Sequence, residues 1–347
     1  MLYNNVKYKL AGVSMSVQLE ILIGEHIDRR DIEDIISSLG FNKKEQYENE
    51  YLWYNDDFVS TRGCWFSFGY DVVVSYEKED RVVKTVCSTS TNAGRSYDDF
   101  QIQIDTIKKI EEAFGGIIYT DGELGYFENN LPKLTRTEIA CGYAYLTFER
   151  NLAMAEQLIE EIDSRVLKYK ELGIPPIFEK NFLRNNTLVP FLVSIMESFL
   201  KTFLHNYIRT NQDAENLIFK KKDKLPYSIV RELLDKEKTI IEIEMDNYSF
   251  QNFNSANKAY IHFIQIDLFK EILSTKVVVD GQERSMVTIL SELLEKRHRL
   301  IHEAELDYSL NKSQMEKYFN CLVLLKDTFK EVFKEKRKMR IDLENEI

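Results

Sequence analysis

The residues most able to do chemistry lie close together in Glu295-Lys-Arg-His-Arg-Leu-Ile-His302. Arg297 offers a guanidinium, which forks onto phosphate oxygens with two parallel hydrogen bonds. His302 offers an imidazole, a group that takes or gives a proton near neutral pH. Together they suit cleavage of RNA without a metal: the base removes a 2′-hydroxyl proton, the 2′-oxygen attacks the adjacent phosphorus, and the cation stabilises the developing charge. Five α-helical steps of about 100° leave the two side chains about 140° apart around the axis, so a long Arg must swing toward the His. His298 and His302, four residues apart, share a face at the spacing of two helical zinc ligands. The residue after His298 is Arg299, not the Glu that a metalloprotease helix uses as its base. Arg297 and Arg299 would also repel a cation, so no metal and no cofactor are expected.

The elements carrying this stretch read as helices. From about residue 134 the pattern turns helical, with Thr135 and Glu138 as a possible capping box. The segment to Leu172 reads as one long helix, stopped by Gly173 and Pro175-Pro176. Leu188–Ile208 is strongly apolar and helical, with Pro190 near its start. Ala256–Leu273, Met286–Ala304 and Gln314 to about Lys336 are further helices, while Thr239–Met245 reads as a strand or an extended connection.

On these residues the C-terminal half resembles the HEPN superfamily. The signature there is an Arg, a polar residue, three more residues and a His, on a late helix of an all-α bundle; Arg297, His298 and His302 match it. Leu293-Leu294 before the motif, Glu303, Glu305 and Asp307 after it, and the amphipathic helix Gln314–Lys336 look similar too. The resemblance covers roughly residues 180–336 and does not reach the first 130 or so. It implies a helical domain that dimerises, with two motifs facing each other to form one composite ribonuclease site. Arg297 and His302 take the catalytic positions, and His298 the polar position beside the Arg. An acidic residue on an earlier helix serves some members, and Glu197, within Phe191–Leu204, is the candidate here. An insertion over residues 220–255 would fill the long gap between Glu197 and Arg297. Lys296 and Arg299, which flank the motif, are expected to bind RNA.

Charge first looks hostile to an RNA partner, since the 347 residues carry a net charge of -11. Residues 174–347 hold 27 Lys and Arg against 27 Asp and Glu, so all of the excess acidity belongs to residues 1–173. A neutral C-terminal half with local basic clusters can still approach phosphates. Scarce Pro (5) and Gly (13) exclude collagenous or linker-dominated chains and favour long helices. No apolar run reads as a membrane span, and MLYNNVKYKLAG lacks the apolar stretch of a signal peptide, which gives an expectation of a cytoplasmic protein with no membrane partner. Cys64, Cys87, Cys141 and Cys321 are scattered, so four structural thiols are expected.

The first half reads as mixed α/β. Val17–Ile23 alternates like a strand, Asp28 caps a helix to about Leu39, and Gly40 ends it. Tyr51–Tyr54 and Cys64–Phe68 are short strands, and Val72–Tyr76 and Val82–Cys87 form a hairpin around Glu-Lys-Glu-Asp. A helix over about Ser96–Phe114 and a strand Ile117–Tyr119 follow. Strand, helix, several strands, helix, strand predicts a ferredoxin-like α+β sandwich. The expected organisation is therefore an α+β domain over 1–130, a long connecting helix over 131–175 and an all-α HEPN-like ribonuclease domain over 176–347.

Weaker features remain. Ser88–Ser96 reads as a loop before a helix that is more suited to capping than to holding a phosphate. Lys220–Lys224 and Lys334–Arg340 are basic clusters that suit an RNA backbone or simply solvent and the helix dipole. Trp53 and Trp65 are expected in the core rather than stacked on bases. The function expected is a metal-independent endoribonuclease of the toxin or phage-defence type, a homodimer acting on tRNA or mRNA, with an antitoxin or regulatory protein at the N-terminal domain. The competing readings are a catalytically silent RNA- or protein-binding and dimerisation module, and a metal-dependent hydrolase using His298, His302 and a nearby Glu.

Overall fold

The computed structural model describes residues 16–343 except 45–48, 56, 77–78, 121–122, 126–127, 164, 174–178, 221–225 and 280. The N-terminal dodecapeptide, Pro175-Pro176, the tip of the expected hairpin at residues 77–78 and most of the Lys220–Lys224 cluster lie outside the described residues. Two units divide the chain, one running to Arg136 and the other spanning Thr137–Leu343.

The first unit is built on β1 (Ser16–Ile23), α1 (Arg29–Ser38), β2 (Asn42–Lys43), β3 (Glu50–Trp53), β4 (Cys64–Tyr76), β5 (Glu79–Asn92), α2 (Tyr97–Phe114), β6 (Ile117–Thr120) and β7 (Glu123–Leu124). The strands form an antiparallel sheet in the order β2-β3-β4-β5-β1-β6-β7. Strand alternation decides which face is covered: Leu19, Ile21 and Ile23 of β1 are buried with Phe66 and Phe68 of β4, against Ile32 and Ile36 of α1 and Ile107 and Ile110 of α2. Trp53 packs at the edge of this core.

The expected strands Cys64–Phe68 and Val72–Tyr76 are one strand, β4, carried through Asp71 at φ 49°. The Asp71 carboxylate accepts from Lys84 Nζ at 2.7 Å on the paired strand. Ser88–Asn92, expected as loop, belong to β5, because each pairs with β1 from Glu20 back to Ser16. What remains of that loop is tied by a buried carboxylate. Asp99 of α2 accepts from Ser60 Oγ, from the backbone amides of Thr61, Arg62, Gly63 and Ser96 at 2.9–3.1 Å, and from Thr61 Oγ1 at 3.0 Å. An anion entering the α2 N-terminus would meet this carboxylate, so the turn is a cap and not a phosphate loop. Gly63, at φ 75°, is required there: a Cβ would lie 2.6 Å from the Trp53 carbonyl oxygen.

The second unit comprises α3 (Arg136–Glu156), α4 (Arg165–Glu171), α5 (Lys180–Thr210), α6 (Gln212–Phe219), α7 (Tyr227–Leu234), α8 (Ile240–Met245), α9 (Phe253–Ile264), a π turn (Phe269–Leu273), the hairpin β8 (Lys276–Val279) and β9 (Gln282–Ser285), α10 (Met286–His298), a second π turn (Arg299–Glu303) and α11 (Lys312–Arg337). Its core is aromatic and centred on α5. Phe203 packs edge-to-face on Phe329 and Phe333 at ring separations of 4.8 and 4.7 Å, and Phe148 stacks on Phe199 at 4.3 Å.

Several expectations change here. The helix expected over 131–175 is two helices. Between them the backbone is captured by side chains of α5: Asn185 Nδ2 donates to Glu160 O and Asn181 Nδ2 to Glu161 O, both at 2.9 Å, which replaces the helical ladder. Helix α5 begins at Lys180, so Pro190 lies inside it and not near its start. Thr239–Met245 is not a strand, because a capping box between Thr239 and Glu242 starts α8. The helix expected over Ala256–Leu273 ends at Ile264, where Gln265 turns left-handed at φ 59°. The hairpin β8–β9 corrects the all-α expectation, and the molecule as a whole is α+β.

Helix α5 also has the length and apolar character to cross a membrane, although 56% of its most apolar window is buried inside the protein. All four cysteines are free and buried; burial pushes the Cys87 and Cys321 thiols up to about 12 and holds those of Cys64 and Cys141 well above the ordinary thiol value.

Candidate functional site

Helix α10 presents Met286, Ile289, Leu290 and Leu293 to the core at helical spacing. Arg297 continues that stripe one turn further, where the core gives out, and is therefore half-buried. His298, one step around, is exposed. The helix then widens. The Ala304 amide bonds back five residues to Arg299 O, and Ala304 itself turns left-handed at φ 53°. A π turn sets residue i+5 more nearly above residue i than an α turn does, and such turns gather at functional sites. It closes the 140° gap expected from ideal geometry: Arg297 Nη1 lies 3.4 Å from His302 Nε2. The rings of His298 and His302 are 4.7 Å apart, and both side chains are open to solvent.

Glu197 lies on α5, within electrostatic reach of Arg297. Its Oε2 accepts from Gln251 Nε2 at 3.2 Å, and its Oε1 is buried with no hydrogen-bond partner. Burial raises the Glu197 pKa against the opposing pull of the Gln251 hydrogen bond and the Arg297 charge. The long interval in sequence between Glu197 and Arg297 is filled by α6 through β9, a longer stretch than the expected 220–255.

This carboxylate yields a prediction. A raised folded-state pKa means that the ionised form costs stability at every pH above it, and that the cost disappears once both states are protonated. Glu197→Gln should raise the melting temperature at pH 7, with the gain gone below about pH 4. Melting curves from about pH 3 to pH 8, which span carboxylate titration, test it. A lower melting temperature for the variant at pH 7 would mean that attraction to Arg297 outweighs burial.

The flanking cations already have partners. Lys296 pairs with Asp307 and donates to Ser309 Oγ at 3.3 Å, and Arg299 pairs with Glu295 one turn back. The Arg299–Glu295 pair is exposed and easily exchanged for another anion, whereas Lys296–Asp307 is largely covered. Burial works against the Asp307 carboxylate, yet hydrogen bonds from Lys296 and Ser309 prevail and hold its pKa below the usual range. The loop after the motif is clamped to α5: the Asp307 amide donates to Asn186 Oδ1 at 2.7 Å, and Asn185 Nδ2 donates to Leu310 O at 2.9 Å. Sequence analysis missed Asn185, Asn186 and Gln251; two fully buried amides inside an apolar helix were the available signal.

Other expectations end differently. Of the basic C-terminal cluster, Lys336 pairs with Glu271 at 3.2 Å and Arg337 donates to the Tyr207 hydroxyl at 3.1 Å. Trp65 is partly exposed under Lys44. No group of three or more His, Cys, Asp or Glu side chains converges as a metal site among the described residues. The site thus offers a guanidinium and two imidazoles at the open end of one helix, with the Glu197 carboxylate of α5 within electrostatic reach of the guanidinium. No family model, curated protein or solved structure matches this chain.

Proposed function

We propose that the second unit is a HEPN-like, metal-independent endoribonuclease domain, working as a homodimer and carried by a chain of the toxin or phage-defence type. The observation that carries the reading is the contact of Arg297 Nη1 with His302 Nε2 at 3.4 Å on an exposed helix end, backed by Glu197. His302 takes the 2′-hydroxyl proton. The 2′-oxygen forms a bond to phosphorus, the bond from phosphorus to the 5′-oxygen breaks, and an imidazole returns a proton to that leaving oxygen. Arg297 stabilises the charge on the non-bridging oxygens meanwhile. The products are a 2′,3′-cyclic phosphate and a 5′-hydroxyl. Ile301, 51% exposed beside His302, and Leu306, 38% exposed, support a second copy covering this end.

In the first unit, β5 lies between β1 and β4, and β6 flanks β1 on the other side. That order supports a ferredoxin-like sandwich with β2, β3 and β7 added at its edges. Its acidity suits a regulatory or antitoxin protein better than bare RNA. The domain's proposed substrate is tRNA or mRNA in the cytoplasm. The test is incubation of the purified chain with total cellular RNA in excess EDTA, followed by end analysis. Cleavage leaving 2′,3′-cyclic phosphate ends is expected; strict dependence on added divalent metal would overturn the reading.

A further inference from the structure

A cleft of about 270 Å³ opens on the neighbouring face of the same helix, between α10 and the start of α11. Lys296 and Arg299 line it from the motif, and Glu292, Lys317 and Tyr318 line it further in. Lys317 is nearly buried; its Nζ bonds Glu292 at 2.9 Å and sits 4.5 Å above the Tyr318 ring. Glu292 is also paired with Arg284, so its charge is met twice. Tyr318 is fully buried, and its hydroxyl has no hydrogen-bond partner. Buried hydroxyls are rarely left so, and an orphan at a polar cleft points to a partner that arrives from outside. Burial pushes the Tyr318 hydroxyl up, so it stays a donor at neutral pH.

The free capacity of the cleft is therefore donor capacity: a phenol O–H without a partner and a guanidinium whose present partner, Glu295, is exposed and exchangeable, beside two ammonium groups held by Asp307 and Glu292. An oxyanion is the ligand that uses it. We propose that this cleft seats a phosphate of the RNA strand neighbouring the one attacked at Arg297 and His302, with the Tyr318 hydroxyl donating to it. The identity of the strand rests on the ribonuclease reading above; the oxyanion chemistry does not. The end of α10 and its π turn then serve two phosphates, Arg297 and His302 holding one and Lys296 and Arg299 facing the other.

The test uses the full chain and a fluorescent 2′-O-methyl RNA, which binds but has no 2′-hydroxyl to attack. Tyr318→Phe should melt higher than wild type, because it removes an unsatisfied buried group, and should bind the oligonucleotide about tenfold more weakly. Its salt dependence should be unchanged, since no charge is lost. Arg299→Gln should instead flatten the slope of log affinity against log salt by about 0.7, one phosphate's worth on a single strand. Unchanged affinity in Tyr318→Phe overturns the proposal. So does a lower melting temperature, which would show that the hydroxyl has a partner in the free protein. Tyr318-dependent stabilisation by inorganic phosphate, with Tyr318-independent RNA binding, would make the cleft a free-anion site and likewise overturn it. Tyr318-dependent RNA binding in a chain that cuts no RNA would leave the cleft standing and remove the nuclease reading.

Discussion

His302→Ala should lower the rate of RNA cleavage by about a hundred- to ten-thousandfold, the usual contribution of a positioned general base. Arg297→Ala should lower it by about a hundred- to a thousandfold, as loss of one donor to a developing oxyanion does. The double variant should be little worse than the poorer single one, because the two groups act as a unit at 3.4 Å. His302 is exposed and its replacement should leave the melting temperature near that of wild type. Arg297→Ala differs in one measurable way: it removes the cation facing Glu197, so the Glu197 pKa should rise further. Initial rates on a defined RNA in EDTA, beside melting curves, check all of this. Cleavage retained within a few-fold in both single variants would place the chemistry elsewhere.

Asp99→Ala should destabilise the first unit by about 3–5 kcal/mol, the cost of breaking a buried charged network. The carboxylate is fully buried and satisfies the amides of Thr61, Arg62, Gly63 and Ser96 together with the hydroxyls of Ser60 and Thr61. Alanine takes the shared acceptor from the Thr61, Arg62 and Ser96 amides, whereas the Gly63 amide keeps Ser60 Oγ at 3.0 Å and Thr61 Oγ1 keeps Gly94 O at 2.7 Å. Asp99→Asn keeps one carbonyl oxygen for some of them and should cost less. Because the two units are separate bodies of contacts, the loss should appear as an earlier transition confined to one of them. Calorimetry of the variant would show it, and a single unshifted transition would refute the role given to Asp99.

Much of the scaffold was legible from local pattern. The alternation in β1, the Asp28 and Ser96 caps and the stripe Met286–Leu293 each state a period or a cap in consecutive residues. The errors fell where distant residues intervened. Nothing in residues 157–163 breaks a helix; Asn181 and Asn185, about twenty positions on, take their backbone bonds instead. Asp280-Gly281 was a local hairpin signal between β8 and β9 that went unread.

The site divides along the same line. Sequence alone determined which groups are present: an Arg and a His five residues apart, a second His between them, and an acidic residue on an apolar helix. Those are facts of type and spacing, and the chemistry they suit follows from type. Tertiary structure decided whether they meet. The π turn that brings His302 to Arg297 depends on where the chain must go after α10, and that path is held by Asn185 and Asn186 more than a hundred residues earlier. The packing of α5 against α10 sets Glu197 near Arg297 and burial raises its pKa, while the ion pairs that occupy Lys296 and Arg299 require the folded loop. Distance, burial and competition for partners are properties of the folded chain, because each depends on residues that sequence separation keeps apart.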